Sequence, residues 1–271
     1  MMKSSSPDIR ETIFRGHLHR DITAVIRAEA AGVVSGLERA AETGTDLGLK
    51  VSSTLRDGDR LDAGSRVVEL RGNPCAIARA EDVIIGTLSK SSGIATAARR
   101  ARETAGSHFR VVSGGFKKMP TEIKHIVRKA AQDGGIGIRI LDGPFVYLDK
   151  NYVRILGGIA RTLLAAAPLE RNAAIQIRGE TGPIGEEAVE AALTGAAVVM
   201  VDTGRLDDLA AVSKALREKG LRSGVRVAFA GNVSLDDLIG LHNRDVDVVD
   251  VGYAILDAPC VPMTFDVIDS P

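Results

Sequence analysis

From Phe109 to Val251 the chain alternates short apolar runs with helix-like stretches, and this alternation limits its fold more than any other feature. The runs are FRVV (109–112), GIRIL (137–141), IQI (175–177), VVMV (198–201), RVAFA (226–230) and VDVVDV (246–251). Apolar, β-branched runs separated by helical segments predict parallel β/α units rather than a meander. Each run terminates in a polar residue or glycine: Ser113-Gly114, Arg139, Arg178, Asp202, Gly231-Asn232 and Gly252. In β/α barrels the C-terminal strand ends form the active face, so this polar ring is where a site is expected.

The densest part of the ring is Val111 to Val153. FRVV runs into the turn Ser113-Gly114-Gly115, with Lys117 and Lys118 just beyond, and GIRIL repeats the pattern with Arg139. Between them a helix is predicted over Thr121–Ala131, opened by Pro120 and closed by Asp133-Gly134-Gly135. Two strand ends then place Lys117 and Arg139 on one side of a sheet. Gly134-Gly135-Ile136-Gly137 precedes a strand rather than following one, so it fails as a dinucleotide loop.

Upstream, Ile22 to Ile77 is β-rich: AVIRAEA, AGVV, LKVSSTL and SRVVEL as strands, a short helix over Leu37–Glu42, and turns at Asp57-Gly58-Asp59 and Arg71-Gly72-Asn73-Pro74. Short strands with one helix predict an α+β domain. The longest expected helix is Glu81–Ala105, with Ile84, Leu88, Ser91, Ala95 and Ala98 on one face. The small residues of SSGIAT (91–96) leave room for close packing. A polar arm and helix are expected over Ser4–Arg20, with His17 and His19 as surface residues. Pro262 to Ile268 reads as a strand returning to the first domain. The expected organisation is a first domain over 1–105, joined by the tail 258–271, and a barrel over 106–257.

Composition removes several function classes. The chain's 35 basic and 35 acidic residues cancel, and 3% aromatics with no Trp offers neither the charge nor the stacking surface of a nucleic-acid binder. Cys75 and Cys260 match no metal spacing and read as buried free thiols of a reducing cytoplasm. No apolar run approaches the roughly 18 residues of a membrane span, and the polar start MMKSSSPDIR lacks the apolar core of a signal peptide. A cytoplasmic protein with no membrane or nucleic-acid partner is expected.

Three stretches, LRDGDRLDAGSRVVELRGNPCAIARAEDVIIGTLSKSSGIAT, KKMPTEIKHIVRKAAQDGGIGIRI and VAFAGNVSLDDLIGLHNRDVDVVDVGYAILDA with its FDV tail, resemble the quinolinate phosphoribosyltransferase family. SSGIAT is the most specific piece. The resemblance runs from about Arg20 to Asp266. It implies an N-terminal α/β sandwich followed by an open α/β barrel, and a homodimer whose composite site joins quinolinate to phosphoribosyl pyrophosphate with loss of pyrophosphate and carbon dioxide.

Carried over position by position, the resemblance keeps Lys117 and Arg139 and puts Phe116, Ile138 and Asp82 where the family has basic residues. Its Lys-Asp-Asn-His becomes Asp149-Lys150-Asn151-Tyr152. Gly231-Asn232 and Gly252-Tyr253 correspond to phosphate-binding loops, where small residues admit an anion to backbone N–H groups. A magnesium ion is implied, with Asp202 as a metal carboxylate and Glu180 as a second one at a shifted register. Arg178 at the expected carboxylate position weakens that site.

The implied catalytic set is Lys117, Arg139, Asp202 and Lys150, with Arg178, Phe116 and the glycine loops binding substrate. Lys117, Arg139 and Asp202 also read as strand-end ion pairs, and Lys150 as a tuned base or Schiff-base former, or as the ion-pair partner of Asp149 or of a neighbouring subunit. The losses point to a divergent pentosyltransferase acting on a phosphorylated sugar or phosphoribosyl substrate other than quinolinate. The alternatives are a lyase, decarboxylase or isomerase reusing the phosphate site, a non-catalytic binder of a phosphorylated metabolite, and an authentic nicotinate-nucleotide pyrophosphorylase.

Overall fold

The computed structural model describes residues 8–269; the expected polar arm from Ser4 lies largely outside them. Among the described residues twelve strands follow in order: β1 (Ile22–Ala28), β2 (Gly32–Val33), β3 (Lys50–Ser52), β4 (Arg60–Leu61), β5 (Arg66–Gly72), β6 (Arg110–Val112), β7 (Phe145–Leu148), β8 (Asn172–Ile177), β9 (Val198–Asp202), β10 (Arg226–Ala230), β11 (Val248–Asp250) and β12 (Met263–Asp269). The chain forms two compact units. The first holds the described residues up to Thr96, His125–Gly135 and the segment from Ala258; the second holds Ala97–Lys124 and Ile136–Asp257.

The first unit is built on an antiparallel sheet in the order β12-β1-β5-β3. The returning strand expected at 262–268 is β12, paired antiparallel with β1. Ile22, Ala24, Ile26, Val68 and Leu70 of this sheet meet Ile77, Ala80, Ile84 and Leu88 of the helix Pro74–Ala105 in one apolar core. Each such fully buried Ile or Leu contributes about 1.5–3 kcal/mol. The expected helix face is buried throughout, from Ile84 to Ala98. The helix starts at Pro74 rather than Glu81, because Pro suits a first helical position and the Asn73 Oδ1 accepts the Ala76 N–H at 3.0 Å.

SSGIAT does admit a close neighbour. A methyl group on Gly93 would overlap the carbonyl of Pro259, and the chain after Ala258 is tied down by Val261 N to Ser89 O at 3.0 Å and by Lys90 Nζ to Ala258 O at 2.7 Å. Cys75 is half-buried and Cys260 exposed, which corrects the expectation that both thiols are buried.

The second unit carries a parallel six-stranded sheet in the order β6-β11-β10-β9-β8-β7. Its inner face packs Val112, Ala174, Val198, Met200, Ala228, Ala230 and Val248 into a single core. One expected strand is wrong. GIRIL forms no strand; only Gly137 bridges to Val112, and Ile140 and Leu141 are buried in the core from a bend. The edge beside β8 is taken instead by Phe145–Leu148, whose apolar run is uninterrupted and follows the Asp142-Gly143-Pro144 turn, whereas Arg139 breaks the first run. The expected helix over Thr121–Ala131 is a 3₁₀ turn at Thr121–Ile123 and an α-helix at Lys124–Asp133. Among the described residues no single helix is long and apolar enough to cross a membrane.

Candidate active site

A cavity of about 520 Å³ opens at the C-terminal ends of all six parallel strands. Side chains alternate between the faces of a strand, so each inner-face series that fills the core continues into this cavity. Ala174 leads to Gln176 and Arg178, Met200 to Asp202, Ala230 to Asn232, and Val248 to Asp250; these end members line the cavity. Lys117, Lys118, Lys150 and Arg178 bring positive charge to it, and Asp149, Asp202 and Asp250 negative charge.

Arg178 is fixed at both ends. Its N–H donates to the Glu187 carboxylate at 3.1 Å, and Gly179 N, Thr181 N and the Thr181 hydroxyl reach the same carboxylate at 2.7, 2.7 and 2.8 Å. Glu187 is 3% exposed, so a buried anion staples the loop after β8. At its other end the Arg178 guanidinium donates to Asp202 Oδ2 at 2.8 Å and to the Asp202 main-chain oxygen. Gln176, buried beside them, donates its amide to Asp202 Oδ2 and accepts the Lys150 N–H at 2.7 Å. Sequence reading missed both Gln176 and Glu187. Gln176 was legible as the inner-face residue two before Arg178; a glutamate inside a helix carried no such signal.

Across the cavity, Lys117 Nζ sits over the Tyr147 ring, 5.5 Å from its centroid. Burial, with Asp202, Asp250 and Asp149 nearby, holds the Tyr147 phenol far above its ordinary range, so it remains a hydrogen-bond donor. Asp250 accepts the Gly114 N–H at 2.9 Å. Burial raises its carboxyl pKa and Asp202 adds to that; Gly114, Lys117 and Lys118 oppose the shift. Asp149 caps the helix Lys150–Leu156, accepting from Asn151 N at 2.8 Å and Tyr152 N at 3.4 Å, and the cap sets where Lys150 enters the cavity.

Gly231, Asn232, Gly252 and Tyr253 all line the cavity. Gly231 has φ 111° and Asn232 φ 55°, and a methyl on Gly231 would overlap Gly204 of the neighbouring loop. The helices that follow, Asp237–Gly240 and Tyr253–Leu256, are single turns, so what these loops turn toward the cavity is backbone rather than the dipole of a long helix. Three expected site residues lie elsewhere: Arg139, Phe116 and Glu180. Arg139 is exposed, donates to Gly143 O at 3.0 Å and covers the Phe145 ring at 5.0 Å; Phe116 is half-buried; neither lines the cavity. Arg139 misses it because the run that carries it is a bend and not a strand.

Comparison with known proteins decides the relationship. Residues 8–92 match the quinolinate phosphoribosyl transferase N-terminal domain, and residues 94–266 match the C-terminal domain of the same family. The chain belongs to the quinolinate phosphoribosyl transferase family. Among its relatives, a probable nicotinate-nucleotide pyrophosphorylase (carboxylating) of Archaeoglobus fulgidus is 27% identical over 92% of this chain and 95% of its own length. The human nicotinate-nucleotide pyrophosphorylase (carboxylating) is 29% identical over 88% of this chain and 80% of its own. The crystal structure of NadC from Streptococcus pyogenes superposes with a TM-score of 0.81 at 21% identity, over 98% of this chain and 92% of that one. This likeness supports the fold, an N-terminal small domain and a curled, open parallel sheet.

Membership of the quinolinate phosphoribosyl transferase family raises the question of magnesium, and the side chains expected to hold it do not fit a divalent ion. Asp202 Oδ2 already receives Arg178 and Gln176. Both oxygens of Glu180 receive Arg154, each at 2.7 Å, Arg178 Nε lies 3.5 Å from one of them, and Glu180 does not line the cavity. These arginines hold the Glu180 carboxyl below its ordinary range, Arg154 contributing most. Magnesium is held by one or two carboxylates together with substrate phosphates and water, and both carboxylates expected for it here are already engaged by guanidinium groups. Among the described residues no cluster of three or more His, Cys, Asp or Glu side chains stands elsewhere to replace them.

Proposed function

We propose that this chain is a phosphoribosyltransferase whose cavity binds phosphoribosyl pyrophosphate and joins the ribosyl carbon to the nitrogen of a pyridine carboxylate, releasing pyrophosphate. The family match across both domains carries the reading, and the charge of the cavity supports it. The expectation of a divergent enzyme with a different acceptor is less well supported than its alternative, the authentic carboxylating nicotinate-nucleotide pyrophosphorylase, which the relatives carry in their names. Quinolinate is therefore the first acceptor to test.

In this reading the Gly231-Asn232 and Gly252-Tyr253 loops hold a phosphate against backbone N–H groups. Lys117, Lys118 and Lys150 meet the remaining phosphate charge and an acceptor carboxylate. As the bond from ribose to pyrophosphate breaks, the departing oxygen takes the electron pair, and fixed cations stabilise that charge most where water is excluded. The protonated Tyr147 offers a neutral donor beside Lys117. A homodimer with a composite site belongs to the same proposal; sedimentation of the purified protein as a monomer alone would remove it.

A second reading keeps the phosphoribosyl donor and changes the acceptor. Asp149, Asp202 and Asp250 favour it, because three carboxylates in one cavity oppose a dianionic pyridine. One assay separates the two: pyrophosphate release from phosphoribosyl pyrophosphate with quinolinate, set against a panel of less acidic nitrogen acceptors. Release with quinolinate supports the first reading, and release only with another acceptor the second. Absence of release across the panel, with no binding of phosphoribosyl pyrophosphate, would sink both.

A further inference from the structure

The misfit of magnesium is accompanied by a cation already in place. Asp202 lies at a strand end facing the cavity, and its inward oxygen is held by the Arg178 guanidinium at 2.8 Å and by the Gln176 amide. The guanidinium is itself oriented. Its backbone is pinned to the buried Glu187, Nη1 is spent on Asp202, Nε lies 3.5 Å from Glu180, and Nη2 has no hydrogen-bond partner among the described residues. The side chain is 34% exposed and lines the cavity, so this planar, permanently charged group is presented to whatever occupies it.

We infer that Arg178 stands in this cavity where a divalent cation would otherwise serve, so that the protein binds a pyrophosphate group through Arg178, held on Asp202 and Gln176, without a metal ion. The chemistry favours this pairing. A guanidinium donates to phosphate oxygens in a fork and keeps its charge at any working pH. A metal at this Asp202 oxygen would have to displace Arg178 and leave two cations beside each other in a half-buried site, which is costly. The inference rests on the phosphoribosyltransferase reading and deepens it by naming the group that meets the leaving pyrophosphate.

The test is titration calorimetry of the full chain with inorganic pyrophosphate, once with EDTA and once with excess magnesium. Wild-type affinity is expected to be the same within about twofold in the two buffers. Arg178→Ala should weaken binding about tenfold to a hundredfold, the loss of a charge-assisted hydrogen bond, while Arg178→Lys, which keeps the charge and loses the fork, should fall between. Arg178→Glu should bind pyrophosphate only with magnesium and should show bound manganese by electron paramagnetic resonance, where wild type shows none. Thermal melts of each variant separate lost binding from lost folding. Pyrophosphate binding by wild type that appears only with magnesium, or manganese bound equally by wild type and Arg178→Glu, would overturn the inference and leave the phosphoribosyltransferase reading standing. Wild type that binds neither pyrophosphate nor phosphoribosyl pyrophosphate in either buffer would overturn both.

Discussion

Arg139 and Arg178 look alike in the sequence, each a lone arginine directly after an isoleucine of an apolar run, yet only one reaches the cavity. Arg178 follows a strand paired on both sides, β8 between β7 and β9, and the two-residue alternation carries the inner face from Ala174 through Gln176 to Arg178. Arg139 lies inside a run that pairs at Gly137 alone, and beyond it Ile140 and Leu141 turn into the core. The difference teaches that hydrophobicity brings a segment to the sheet, whereas ladder pairing decides where its polar end points.

The comparison breaks most readily at Glu187. Glu187→Ala removes the acceptor of three backbone N–H groups behind Arg178 and should cost about 3 kcal/mol or more of folding stability, read by urea denaturation. A loss below about 1 kcal/mol would mean that the loop is held by something else. Next in size is the contrast in binding. Arg178→Ala should weaken pyrophosphate binding about tenfold to a hundredfold, and Arg139→Ala should change it by less than about twofold. Equal losses would put Arg139 back into the site.

The pH dependence of stability sharpens the picture of the cavity floor. Asp250 has a raised folded pKa, so its stabilising contribution is complete below its unfolded value of 3.8 and is lost as pH rises through the raised value. Asp250→Asn keeps an acceptor for Gly114 and removes that loss, so its melting temperature should gain on wild type as pH rises toward neutrality. Parallel melting curves across the range would show that Asp250 titrates normally. The smallest effect belongs to Arg139→Ala measured on folding: its ring contact and one exposed hydrogen bond are worth about 0.5–1 kcal/mol, visible only as a small shift of the denaturation midpoint.

Much of the fold was legible from local pattern. FRVV, IQI, VVMV, RVAFA and VDVVDV all contributed parallel strands, because short β-branched runs bounded by turn residues and separated by helices suit a parallel sheet covered on both faces. The helix face from Ile84 to Ala98 and the returning tail were legible for the same reason. The site was legible in part. Lys117, Lys150, Arg178, Asp202 and the glycine loops meet in one cavity, while Arg139, Phe116 and Glu180 stay outside it. What escaped were residues whose meaning depends on a distant partner: Gln176 on Asp202, Glu187 on the loop after β8, Asp250 on Gly114, and Asp149 as a helix cap.

By itself the sequence determined most of the elements, their parallel arrangement, the family and most of the ring of polar strand ends, since these follow from periodicity and from residues adjacent in the chain. Tertiary structure decided which of two apolar runs takes the sheet edge, which arginine enters the cavity, and that Asp202 is occupied by a guanidinium and an amide. Those outcomes depend on pairing register and on contacts between residues far apart in the chain, which no local pattern encodes.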